Sequence, residues 1–258
     1  MKSIVKKLSV IFMSIICLIG VVGCSDNKSK EKKEVIIGFD NTFVPMGFLD
    51  ENGETVGFDI DLAKETFKRL GLDVKFQNID WSMKDNELNV GNVDALWNGY
   101  SLTEERKQKI AYTDSYLDNK QIIVTLKNSK IKTKSELKGK KIGTQQESAS
   151  FEAIQKDSTL MNSLDGSSPI LYDTFDKAFR DLEIGRTDAI VADEVLARYY
   201  MSQKGENKYS ILKDNFGEET FVVGFKKDNT VLKDKVNETL KEMKSDGSFD
   251  KIYKKWFK

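Results

Sequence analysis

Arg106 closes the ten-residue stretch WNGYSLTEER, which begins at Trp97. The stretch follows VDAL, a short apolar run that reads as a buried strand. It holds Gly99, the hydroxyl of Ser101 and a helix start at Thr103-Glu104-Glu105, so Arg106 falls on the first helical turn. Backbone N–H groups of a helix N-terminus, a hydroxyl and a guanidinium would then converge on one place. Together they suit a small carboxylate held in a crevice at the carboxyl end of a strand.

Other chemistries are closed off by what the chain lacks. It contains no His, which removes His general-base catalysis, the Ser-His-Asp triad and His-ligated zinc. Its two cysteines, Cys17 and Cys24, lie near the N-terminus, so the body can build neither a disulfide framework nor a Cys metal site. No catalytic residue, metal or cofactor is therefore expected. The 258 residues suffice for two lobes of ordinary size or one large one. Formal net charge is zero, and removing Lys2, Lys6 and Lys7 with a leader leaves 38 basic against 41 acidic residues. That balance offers no electrostatic footing for nucleic acid.

The leader is residues 1–23. MKSIVKKL is a basic segment, SVIFMSIICLIG an apolar one, and VVGC follows, as in a secretory signal peptide. Val21-Val22-Gly23-Cys24 resembles the lipobox of bacterial lipoproteins, with Val where Leu is usual. That resemblance implies cleavage before Cys24 and diacylglycerol on its sulfur; an uncleaved anchor helix is the alternative. From Cys24 to Glu34 the chain is polar and reads as a flexible tether.

Strand and helix alternate through the body, which predicts an α/β fold with mainly parallel sheet. VIIGF (35–39) and DVKFQNI (73–79) read as strands, and a hairpin falls around Asp50-Glu51-Asn52-Gly53. GFDIDLAKETFKRLG is an amphipathic helix with Ile60, Ala63, Phe67 and Leu70 on one face, Asp59 as its cap and Gly71 at its end. Residues 82–90 are helical, and Val93–Trp97 is the next strand. After the strand NKQIIVTL (119–126) comes a polar, Lys-rich loop. A second strand–helix series then runs from KKIGT (140–144) through FVVGF (221–225) to a helical tail broken near Asp246-Gly247. LNVGNVDALWNGYS (88–101) is echoed by LEIGRTDAIVADEV (182–195), although taken alone G-x-x-D-A reads as a generic helix-to-strand turn.

Assembled, these pieces resemble the family-3 bacterial extracellular solute-binding proteins, the polar amino-acid receptors of ABC importers. The motifs are GFDIDLA (57–63), VDALWNGYSLTEER, GKKIGTQQESAS (139–150), GRTDAIVADEV (185–195) and DGSFDKIYKKWF, spread over the chain from Val35 to Phe257. The resemblance implies the two-lobed type II periplasmic-binding-protein fold, each lobe a mainly parallel sheet flanked by helices. Lobe 1 would hold residues 35–121 and 221–258, and lobe 2 residues 126–215. Strands 121–125 and 216–225 would form the hinge, and the ligand would sit between lobes that close on it.

The same resemblance places site residues. Arg106 would take the ligand carboxylate, with the N–H groups of Ser148 and Ala149 meeting it from the second lobe. Asp193 would take the α-ammonium, helped by the Ser101 hydroxyl and the Gly99 carbonyl; its structural alternative is a helix cap before EVLARYY. Phe43 and Trp81 correspond to aromatic positions that sandwich the ligand side chain, with core packing as the alternative, and Trp97 is assigned to the core. Asp40, Asn98, Gln145 and Glu147 are the candidates for side-chain specificity. Their polarity points to a polar ligand, of the cystine or glutamine class, with a basic amino acid also open. The expected setting is a monomeric lipoprotein on the outer face of a Gram-positive plasma membrane, partnered by permease subunits. Two other functions share the scaffold. One is an enzyme similar to the cyclohexadienyl dehydratases, with Glu147 or Asp193 as acid or base. The other is a ligand-sensing ectodomain, which would be expected to continue into a membrane span beyond Lys258.

Overall fold

EVIIGF starts the fold because three of its apolar side chains can be buried while its backbone pairs on both sides. The computed structural model describes residues 34–257. Cys17, Cys24, the leader and most of the tether lie outside them.

In chain order the strands are β1 (Glu34–Phe39), β2 (Thr42–Phe43), β3 (Gly47–Leu49), β4 (Thr55–Val56), β5 (Asp73–Asn78), β6 (Ala95–Ser101), β7 (Ile110–Tyr112), β8 (Leu117–Leu126), β9 (Ile142–Gln145), β10 (Ile170–Tyr172), β11 (Ala189–Asp193) and β12 (Tyr209–Lys226). The helices are α1 (Phe58–Arg69), α2 (Lys84–Val90), α3 (Glu104–Lys109), α4 (Ala149–Lys156), α5 (Ser158–Ser163), α6 (Phe175–Glu183), α7 (Glu194–Lys204), α8 (Thr230–Ser245) and α9 (Ser248–Trp256). The sheet runs β10-β9-β11-β8-β12-β6-β1-β5. Strands β5, β1 and β6 are parallel at one end, and β10, β9 and β11 are parallel at the other. The long antiparallel strands β8 and β12 join the two halves.

The internal echo has a structural cause. Asp94 exchanges hydrogen bonds with Ile36 on β1, its N–H to the Ile36 carbonyl and its Oδ2 accepting from Ile36 N, each at 2.7 Å. Asp188 does the same with Lys141, at 2.8 and 2.9 Å. Each Asp locks a strand start to its parallel neighbour, so G-x-x-D-A builds the sheet rather than a ligand contact.

Two expectations are corrected. Asp59 does not cap α1: that position is Gly57, whose φ of 144° suits only glycine and whose added Cβ would meet the Met46 carbonyl oxygen at 2.2 Å. And β6 does not stop at Trp97 but continues through Ser101, so WNGYS is strand rather than turn. It is bent there: Gly99 has φ of 58°, and the pairing with β12 shifts between Val222 and Gly224. Among the described residues no helix is long and apolar enough to cross a membrane.

Candidate functional site

The bend at Gly99 is held from below. Asp59 Oδ2 accepts from Gly99 N at 2.7 Å and from the Tyr116 hydroxyl at 2.8 Å. A side chain at residue 99 would collide with Phe43 Cε1 at 2.7 Å, so Phe43 packs directly on the bend. Burial pushes the Asp59 carboxyl up to about 7. An acid raised in this way stabilises the native state while protonated. That contribution is complete below the ordinary value of 3.8 and is lost as the pH rises through about 7. Asp59→Asn is expected to flatten this part of the stability profile, read as urea-unfolding free energy at about pH 5 and about pH 8. An unchanged slope would show that Asp59 is ionised in the native protein over this range, as it is in the unfolded chain.

Arg106 is placed as the capping signal requires: Thr103 Oγ1 accepts from Arg106 N at 3.2 Å and starts α3. The guanidinium is buried and lies 4.7 Å from the centre of the Tyr100 ring. It bridges the two halves of the sheet. Nη1 donates to the Ser101 carbonyl at 3.1 Å, Nη2 to the Glu147 carbonyl at 3.2 Å, and Nε pairs with Glu152 Oε1 at 3.1 Å. Glu147 turns its carbonyl there through a left-handed φ of 53°. Just beyond it, Ser148 caps α4, accepting from Phe151 N and donating to the Gln145 carbonyl. Ala149 is the first residue of that helix, so Arg106 is bonded to the loop that leads into the α4 N-terminus.

Asp193 occupies the position before α7 but makes no side-chain cap bond. Its Oδ1 instead accepts from Asn119 Nδ2 at 2.7 Å and Gln121 Nε2 at 2.9 Å. The same two amides donate to Glu219 Oε1 at 2.6 and 2.7 Å, and so does the Ser101 hydroxyl at 2.6 Å. Burial, followed by the charge of Glu219, holds the Asp193 carboxyl well above the usual range. Ser101 thus touches both poles, its carbonyl on Arg106 and its hydroxyl on the acidic pair.

A third group surrounds Asp40. Its Oδ1 accepts from Thr42 N and Oγ1 at 2.9 and 2.7 Å, and its Oδ2 from Gln145 Nε2 at 2.7 Å. Asn98 Oδ1 accepts from Asp40 N at 3.0 Å, which turns Asn98 toward the backbone rather than leaving it free. Phe43 stacks edge-on with Phe175, ring centres 6.0 Å apart. Trp81 lies beside the Arg106 pole, its ring centre 6.0 Å from that of Tyr100. Despite its polar flanks it is packed in a hydrophobic cluster with Leu88, Leu96 and Tyr100, away from the cluster that holds Phe43.

Several site residues were not among the candidates. Asn119 and Gln121 alternate onto one face of β8, and two amides on one face just ahead of the apolar run 122–124 were a usable signal. Glu152 follows the Ser148 cap by one turn. Lys84 is buried 5.8 Å from the centre of the Trp81 ring, where burial and then the charge of Arg106 pull it down to about 8. Glu219 carried no signal in the sequence.

The chain belongs to the bacterial extracellular solute-binding proteins, family 3, whose model matches residues 35–258. A histidine-bound ABC uptake transporter substrate-binding protein from Streptococcus pneumoniae shares its fold with a TM-score of 0.86 and 40% identity, over 90% of this chain and 96% of that one. The lysine/arginine/ornithine-binding periplasmic protein of Escherichia coli is 32% identical over 97% of both chains. The glutamine-binding ABC transporter protein GlnH of Bacillus subtilis is 31% identical over 93% of this chain and 90% of its own length. The architecture is accordingly the two-lobed type II periplasmic-binding-protein fold, with β8 and β12 crossing between the lobes.

Proposed function

We propose that this chain is the extracytoplasmic receptor of an ABC importer and binds a polar L-amino acid between its lobes. One observation carries the reading: Ser101 stands between a buried guanidinium and two carboxyl groups that form no ion pair with a described cation, its carbonyl on Arg106 and its hydroxyl on Glu219, which shares the Asn119 and Gln121 amides with the buried Asp193. That is the charge pattern of a zwitterion. Arg106 with the α4 N-terminus receives the carboxylate, and Asp193 receives the α-ammonium. The surroundings of Asp40 and Gln145 favour a side chain that donates hydrogen bonds, such as the amide of glutamine, the second ammonium of cystine or the cation of a basic amino acid. The relatives support the general class and span amide and basic ligands. Lobe 1 corresponds to residues 35–121 and 221–258 and lobe 2 to 126–215. Diacylglycerol on Cys24 holds the monomer at the outer face of a Gram-positive plasma membrane, beside its permease.

A thermal-shift screen of residues 34–258 against the common L-amino acids, cystine and glutathione tests this. Binding to the folded state alone raises the melting temperature by mass action, about 2.7 kcal/mol at a hundred times Kd. One or two polar amino acids are expected to raise it. No shift with any of them, from folded protein free of carried-over ligand, would overturn the reading. Incubation with prephenate and arogenate is expected to yield no product.

A further inference from the structure

Four side chains from three strands close a ring at the hinge. Asn119 and Gln121 on β8 each divide their amide protons between the same two oxygens, Asp193 Oδ1 and Glu219 Oε1. The remaining oxygens, Asp193 Oδ2 and Glu219 Oε2, accept from no donor among the described residues. No described cation forms an ion pair with either acid, although the charge of Arg106 reaches Glu219 across Ser101. Arg106 is committed to Ser101, Glu147 and Glu152, and Lys120 on β8 pairs with Glu218 at the rim, 3.3 Å away. Glu194 on α7 is tied to Arg198. Asp118 on β8 also borders the depression, and the remaining groups facing the pair are neutral: the Ser101 hydroxyl on β6, Thr220 on β12, and Ser150 on α4, which bonds to Gln121. Two carboxyl groups held this close by shared donors repel one another when both are charged, and a cation between them relieves that repulsion.

We infer that Glu219 is a second receiver of the ligand α-ammonium, and that a proton held between Glu219 and Asp193 is expelled when the ammonium arrives. This rests on the reading of the cleft as an amino-acid site. In the free protein the pair carries one proton and one negative charge. In the complex both carboxylates face the ammonium, and the proton leaves to solvent through the open depression of about 400 Å³ bordered by Asn119, Glu194 and Glu219. Burial and the charge of Glu219, which raise the Asp193 carboxyl, act in the same direction.

Isothermal titration of the 34–258 protein with L-glutamine, L-cystine, L-arginine and L-histidine, in buffers of different ionisation enthalpy, counts the protons released. Wild type is expected to release about one more proton per ligand than Glu219→Gln, a difference that cancels the ionisation of the ligand itself. Below the titration of the pair, wild-type affinity then rises about tenfold per pH unit while that of E219Q stays flat. At pH 8 the variant binds about tenfold more weakly, the scale of one charge-assisted hydrogen bond. Equal proton counts with affinities within about twofold would overturn the inference and leave the amino-acid site standing. If none of the four amino acids binds wild type, both fall. Should E219Q misfold, wild-type titration with the binding probe decides alone, after subtracting the probe's own ionisation, and zero release overturns the inference.

Discussion

Arg106→Ala is expected to weaken amino-acid binding by about two orders of magnitude, close to 3 kcal/mol, measured by isothermal titration. The guanidinium is buried and is the only cation described in direct contact with the α4 N-terminal loop, through the Glu147 carbonyl. A ligand carboxylate entering the cleft gives up water, and a bidentate guanidinium with backbone N–H groups offsets that cost. The variant also leaves the largely buried Glu152 with only the exposed Lys156, 3.8 Å away, so its melting temperature should fall as well. Glu152→Gln in the same chain separates the two effects: the double variant recovers stability but not binding. Arg106→Lys should bind only slightly better than Arg106→Ala. One ammonium cannot hold the Ser101 carbonyl, the Glu147 carbonyl and Glu152 at once. Binding within threefold of wild type in Arg106→Ala would remove Arg106 from the site.

Asp193→Asn is the second large effect and has an asymmetric signature. The amide keeps an acceptor for Asn119 and Gln121 but loses the charge offered to the ammonium, so affinity should drop by a factor of ten to a hundred, about 2 kcal/mol. The ligand-free protein should be no less stable, because a neutral amide at this buried position avoids the cost that burial and the charge of Glu219 place on an ionised Asp193. Asp193 also carries a pH signature. The raised Asp193 carboxyl stabilises the native protein while protonated, a contribution complete below the ordinary carboxyl range and lost as the pH climbs through its native value. Asp193→Asn removes that loss, so its thermal midpoint should gain on wild type toward alkaline pH. A structural helix cap would behave in the opposite way, losing stability and leaving binding alone. The lack of any side-chain cap bond at Asp193 already points away from that role.

Most of the fold was legible because its signals are local. Period-two alternation, the Thr103 cap and the glycines closing α1 and α2 each act within a few residues, and they place Arg106 on its turn without tertiary help. The paired G-x-x-D-A turns were visible as a repeat, although their task, zipping Asp94 to Ile36 and Asp188 to Lys141, was not. The two misreadings at Asp59 and WNGYS have one cause. Local propensity favours a cap and a turn, while burial draws Asp59 under the chain and stretches WNGYS into the central sheet.

The acidic pole shows what a sequence cannot determine. Asp193 meets Asn119 across 74 residues of chain and Glu219 meets it across 100, with the ring completed only when β8, β11 and β12 lie side by side. Strand alternation says that Asn119 and Gln121 share a face, but not which acids that face will meet. Likewise Glu152 reaches Arg106 only because the tertiary fold brings α4 against α3. By itself, then, the sequence determined the elements, their order and the cation. The tertiary structure alone decided which carboxyl groups stand together without a counter-charge, because that depends on the register of strands distant in the chain.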